Sequence, residues 1–263
     1  MKMYFKTLYM FCKNAYIRDK GIPGFVIGGV LFELIEITVT VVMFNVIFDN
    51  TKSLGGWNFY QTLFLYSFVK IIFALNNTFF KGGVQSLARE MIRQGTLDFH
   101  LTKPMNSLIL LIISKPKIYP LINGIFAGFL AAYAVIAGQI SVTYIQLFWL
   151  IFLTFFSLAL YICLQIIILI PVFWLTKVWG LQGVMSRVSQ FMRYPARMFP
   201  PFLKTILLVV FPVLTVSYVP VATFIEPPRA LLIFFIIFAT LVFSLLTQLF
   251  WNLGLRKYTS ASS

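Results

Sequence analysis

The placement of positive charge constrains this chain more than any other feature. Six long apolar stretches alternate with polar connections, and 18 of its 21 Lys and Arg residues fall in every second connection or at the termini. Lys2, Lys6, Lys13, Arg18 and Lys20 precede the first stretch. Lys81, Arg89, Arg93, Lys103, Lys115 and Lys117 separate the second from the third, and Lys177, Arg187, Arg193, Arg197 and Lys204 the fourth from the fifth. Arg256 and Lys257 follow the sixth, the other connections hold only Lys52 and Arg229, and Lys70 lies inside a stretch. Cytoplasmic connections of membrane proteins carry the excess of Lys and Arg. The sequence therefore predicts an all-α polytopic membrane protein with six transmembrane helices and both termini in the cytoplasm.

Composition agrees. Hydrophobic residues make up 60% of the 263 residues and charged residues 11%, too apolar a balance for a soluble domain. The net charge of +14 does not point to nucleic acid, because the bases gather on one side of a membrane rather than on one face of a folded domain. Anionic lipid headgroups are sufficient partners for them. Cys12 and Cys163 are neither a disulfide framework nor a metal site. The first twenty residues lack the compact apolar core and small-residue cleavage site of a signal peptide.

Residues 1–20 are predicted to form an amphipathic interfacial helix. Lys6, Lys13 and Lys20 repeat every seventh residue, with Phe5, Leu8, Tyr9, Cys12 and Tyr16 on the other side, a pattern suited to the headgroup region. Residues 21–255 form the transmembrane domain, and 256–263 a short tail. The expected spans are Ile22–Phe48, Phe59–Phe80, Ile118–Ile136, Tyr144–Val172, Ile206–Phe224 and Leu231–Trp251, each long enough to cross ~30 Å of hydrocarbon at ~1.5 Å per residue. Pro212 should kink the fifth, since it lacks an N–H and crowds the preceding turn. Trp57, Trp174, Trp179 and Trp251 fall near span ends, where aromatic belts sit. The internal connections, 81–117 and 173–205, are long and the external ones short, so the polar working surface is expected to face the cytoplasm.

The first internal loop opens with a helical pattern. Val84, Leu87, Ala88, Met91 and Ile92 take one face, Arg89, Glu90 and Arg93 the other, and Gly95 stands at the C-cap position. Such a helix either rests on the membrane surface or docks a cytoplasmic partner.

The run Ile92-Arg93-Gln94-Gly95-Thr96-Leu97-Asp98, followed by Leu101, Lys103 and Pro104, resembles the corresponding loop of ABC exporter permeases of the second structural type. It is similar in particular to their six-helix branch of uncharacterised transport permeases. Lys103 stands where that branch usually has Arg. Tyr194-Pro195, Phe199-Pro200, Phe211-Pro212 and Tyr218-Val219-Pro220 resemble the family's entry into its fifth span. The resemblance implies a transport subunit that pairs with an identical or homologous second permease. It also implies a separate ABC ATPase, which carries the ATP and Mg, docked on the Val84–Arg93 coupling helix. This chain would bind no cofactor and no metal.

The residues agree with a non-enzymatic reading. No G-x-x-x-x-G-K-[ST] phosphate cradle occurs. His100 is the single histidine, no H-E-x-x-H zinc pattern exists, and no G-x-S-x-G marks a nucleophile. His100 is expected to be a loop residue.

Glu33, Glu36 and Lys70 are the ionisable residues inside the spans. Glu33 and Glu36 are three apart and share a helix face, and both they and Lys70 lie ~15 Å from the inner end of their spans. A charge at the bilayer centre costs at least ~2.5–3.5 kcal/mol, so these groups are expected to meet. Either they pair to fix the register of two helices, or they line a path for a lipophilic or amphipathic substrate. Two carboxylates against one lysine leave a surplus negative charge, which favours a cationic substrate or a protonated glutamate. The rival readings are an importer or lipid-moving permease, an intramembrane lipid-modifying enzyme centred on these three residues, and a non-transporting membrane scaffold.

Overall fold

The computed structural model describes residues 2–21, 23–87, 97–175 and 180–258. Among them the chain is α-helical and has no strand, only an isolated bridge between Leu54 and Trp57. In order, the α-helices are α1 (Lys2–Lys20), α2 (Pro23–Asn50), α3 (Phe59–Phe79), α4 (Lys81–Ser86), α5 (Asp98–Leu101), α6 (Ser107–Ile112), α7 (Pro120–Ala137), α8 (Tyr144–Leu169), α9 (Leu181–Val188), α10 (Pro201–Thr205), α11 (Val213–Ile225) and α12 (Ala230–Leu255).

Five of these, α2, α3, α7, α8 and α12, are long and apolar enough to cross a membrane. Their starts are written in the sequence. Asn58 and Gln61 close a reciprocal capping box at the head of α3, and Thr143 and Gln146 do the same for α8, satisfying N–H groups that a helix start leaves bare. The turn before α3 relies on Gly55 and Gly56 at φ +56° and +86°, values that side chains resist.

α3, α8 and α11 carry most of the buried residues. α2, α7 and α12 surround them and turn apolar side chains outward, among them Phe32, Val39, Phe129, Ile136, Phe234 and Leu245. In water such a rim would be an aggregation surface, whereas hydrocarbon accepts it. Phe238 of α12 and, on the outer face of α8, Phe148 and Phe155 extend the same surface. α7 lies close on α3, where the bare Gly124 faces the Ala74 methyl.

The two ends of the bundle are built differently. At the end where α1 leads into α2 and α12 stops, called the terminal end, Val84, Leu87, Leu97, Leu108, Leu111, Ile166, Leu169 and Trp251 form a separate apolar core. α1 is tied to it through Asp19, whose carboxylate accepts from the Ile118 N–H at 2.7 Å, and through Arg18, which donates to the Pro116 carbonyl at 2.9 Å. At the far end, Glu226 accepts from the Trp57 indole at 3.3 Å and pairs with Arg197 at 3.0 Å and Arg229 at 3.2 Å. Trp57 is 2% exposed and stacked on Tyr218, and Trp251 is 1% exposed and donates to Ser107. These two indoles are core residues rather than the belt anchors the sequence suggested, whereas Trp174 is exposed.

The fifth span departs from expectation. Pro201–Val210 and Val213–Ile225 are bent by 94° at the break that holds Pro212. Phe211 closes a π-turn onto the Ile206 carbonyl, Pro212 offers no N–H to continue it, and the Thr215 hydroxyl donates to the Leu208 carbonyl across the corner. The break is therefore much sharper than the expected kink. Both ends of this stretch lie at the far end of the bundle. Met198 and Arg197, just before it, press on Gly55, and Glu226, just after it, holds Trp57 and Arg197. Pro201–Ile225 is thus re-entrant.

The passage between the two ends is made by residues assigned from sequence to the 173–205 loop. Leu181 and Met185 share a small cavity with Val84 and Leu169 at the terminal end, Arg193 reaches Glu36 at mid-bundle, and Met198 meets Gly55 at the far end. From Leu181 to Met198 the path is α9, then two 3-10 turns, Ser189–Arg193 and Ala196–Met198.

Candidate functional site

The intramembrane charges converge. Lys70 is ion-paired with Glu33 and, at 2.9 Å, with Glu36. Their positions follow from the helices: α2 offers both carboxylates from one face, and α3 brings Lys70 opposite them. Asn123 of α7 donates to Glu33 at 3.2 Å, and the Thr40 hydroxyl donates to the Glu36 carbonyl. Lys70 is 6% exposed, so its charge needs this company.

A fourth charged group completes the set. Arg193 Nη2 lies 2.7 Å from Glu36 Oε1. Its guanidinium carbon sits 5.8 Å from the centre of the Tyr66 ring, with Lys70 Nζ at 5.9 Å from the same ring, within cation–π range. Two carboxylates meet two cations, and the surplus negative charge expected from Glu33, Glu36 and Lys70 alone is not there. Sequence reading missed Arg193 because it was counted as a loop residue. The signal was present: Ser186, Ser189, Gln190 and Arg193 follow the i, i+3, i+4, i+7 spacing of a helix face.

Below this network lies a cavity of about 580 Å³. Its floor comes from α4 with Lys81 and Gln85, one wall from Asn76, Asn77, Tyr161 and Gln165, and the other from Ser186, Ser189 and Gln190, with Arg193 at its inner limit. Gln165 Nε2 donates to Asn76 Oδ1 at 2.8 Å, bracing α8 against α3. Polar side chains therefore run from mid-bundle to the terminal end.

α4 is pinned in place. A Cβ on Gly82 would stand 2.0 Å from the Lys115 carbonyl oxygen, so only glycine lets these backbones meet. Val84 and Leu87 are fully buried in the terminal-end core. They are the first residues of the predicted coupling helix, and they pack inward. Ala88, Arg89, Glu90, Met91, Ile92 and Arg93, with Gly95, lie outside the described residues. Of the loop motif, Leu97 is fully buried in the same core, Asp98 begins α5, and Lys103 and Pro104 are exposed. His100 lies on α5. Cys12 and Cys163 are free thiols, and burial raises the pKa of Cys12 above its ordinary value. Among the described residues no group of three or more His, Cys, Asp or Glu could hold a metal.

The sequence model of the ABC-2 family transporter proteins matches residues 34–262. Neither a curated protein nor a solved structure matches the chain.

Proposed function

The chain belongs to the ABC-2 family of transporter proteins, and we propose that it is the permease subunit of an ATP-driven exporter, moving a lipophilic or amphipathic substrate out of the cytoplasm or the inner leaflet. The observation that carries this reading is the polar cavity between α3, α8 and α9, closed towards mid-bundle by the four-charge network and floored by α4. α4 leads directly into the 88–96 segment, so a partner that moves this segment moves the cavity floor. The end with the termini and the basic connections faces the cytoplasm. A separate ABC ATPase docks there on the Arg89, Glu90 and Arg93 face and holds the ATP and Mg. A second permease, identical or homologous, completes the pathway. The Trp57–Glu226–Arg197 clasp and the re-entrant Pro201–Ile225 stretch close the opposite end until ATP-driven motion opens it.

The test is to purify the chain from its native membrane in mild detergent and identify its companions by mass spectrometry. A stoichiometric ATPase bearing a phosphate-binding loop is expected, and it should be lost when Arg89→Glu and Glu90→Arg are combined. A second six-span chain in the complex would make the transporter a heterodimer. Absence of any ATPase under several mild conditions would overturn the reading in favour of a scaffold or a lipid enzyme.

A further inference from the structure

The cavity has a one-sided charge inventory. Lys81 and Arg193 are its two ionised lining residues, and no Asp or Glu is among the described lining residues. Arg193 is partly neutralised by Glu36, yet its Nε–H is buried with no hydrogen-bond acceptor among the described residues. Lys81 is less well served, for no carboxylate among the described residues pairs with it. Burial first, and the nearby Lys117 charge second, push its pKa below the ordinary value, the mark of a cation short of counterions. Asn77 and Gln190 line the same space, and their side-chain amides are able to donate to oxygen.

We propose that this cavity binds the phosphate group of its ligand, with Lys81 as the charge partner and the Asn77 and Gln190 amides as donors. The volume of about 580 Å³ falls within the range of ordinary small-molecule sites and admits a headgroup-sized polar moiety. Phe73, Tyr161 and Met185 give it an apolar flank for the adjoining part of an amphiphile. A cation would meet two like charges and no free carboxylate, which reverses the preference read from Glu33, Glu36 and Lys70 in the sequence. This inference rests on the cavity being the transport path. It names the substrate class as anionic and phosphate-bearing, on a lipid headgroup or on a soluble molecule.

The test uses the full chain, solubilised in neutral detergent, and two probes. Inorganic phosphate is followed by equilibrium dialysis. Phosphatidylglycerol, against phosphatidylcholine as control, is followed by native mass spectrometry. Saturable binding is expected in one arm: the first identifies a soluble anion, the second a lipid headgroup. Lys81→Gln should weaken it at least tenfold and Lys81→Arg should retain it. Lys103→Gln, on an exposed base of the same connection, should leave it unchanged. Because Lys81 is held at the expense of its charge, Lys81→Gln should fold and melt no lower than the unaltered chain. No saturable binding in either arm, or equal binding by Lys81→Gln, overturns the proposal. Neither probe involves an ATPase, so failure here is distinct from failure of the exporter reading.

Discussion

Gly83 and the Leu111 carbonyl are in such close approach that a Cβ on the glycine would stand 2.0 Å from the oxygen. With Gly82 on Lys115, this makes α4 and the α6 region one unit, so the cavity floor cannot slide without carrying the Ser107–Lys115 segment along. Gly83→Ala gains helix propensity worth about 1 kcal/mol. It also drives a methyl into backbone that cannot rotate away, a strain of about 1–3 kcal/mol or more. The strain should prevail, and the variant should melt lower than the unaltered chain in a thermal-shift assay. A melting point equal to or above it would show that α4 is not fixed in this way.

The Arg193–Glu36 pair joins residues 157 apart in sequence. Arg193→Gln leaves Glu36 with Lys70 alone, and Glu36→Gln leaves Arg193 without its carboxylate. Each single change should lower stability, because a partly buried charge loses its partner. The double variant should lose less than the sum, with a coupling energy of about 1–3 kcal/mol. Additive losses would mean the two groups do not act together. If Glu36→Gln is expressed normally and transports as well as the unaltered chain, Glu36 has no part in the pathway.

The re-entrant path places Phe202, which is 79% exposed, at the Gly55 end of the bundle. With Cys12 and Cys163 replaced by Ser, Phe202→Cys and Lys52→Cys should react with a membrane-impermeant maleimide from one side, and Lys103→Cys from the other. Phe202→Cys labelling together with Lys103→Cys would restore a loop at 173–205 and remove the re-entrant stretch. The comparison holds whichever way the protein faces.

The far-end clasp gives a separate test. Glu226 serves Trp57, Arg197 and Arg229 at once. Glu226→Gln removes the charge that holds both guanidinium groups while keeping an acceptor for the indole. Arg229 is largely exposed and contributes little. Arg197→Ala should therefore reproduce most of the Glu226→Gln effect on melting, and Arg229→Ala almost none. Equal effects of the two arginine variants would disprove this division.

The apolar crossings were legible because each depends on one local property, a long run without charge. The bounds of α3 and α8 also follow from caps, Asn58 with Gln61 and Thr143 with Gln146, which act within one turn. Glu33, Glu36 and Lys70 could be joined from depth alone, since a lone charge in hydrocarbon is too costly to leave unpaired. The Leu181–Met198 passage was not legible by that means. It is polar on the face that meets the cavity and the charges, so a test for apolar length rejects it and accepts the more apolar Pro201–Ile225 instead. Whether an apolar run crosses or returns is decided by non-local contacts, here Met198 on Gly55 and Glu226 on Trp57. The cavity was hidden for a related reason, as it is assembled from five separate helical segments.

The Leu181–Met198 passage bears on how the chain is made. Arg187, Gln190 and Arg193 make it a poor substrate for direct entry into a bilayer, whereas α2 and α3 are long and apolar enough to cross. Synthesis from the N-terminus places Glu36 in the membrane long before Arg193 emerges. The late segment then finds its counterion already installed. The Arg193–Glu36 pair would in this way let the N-terminal half ease the entry of a stretch more polar than its neighbours.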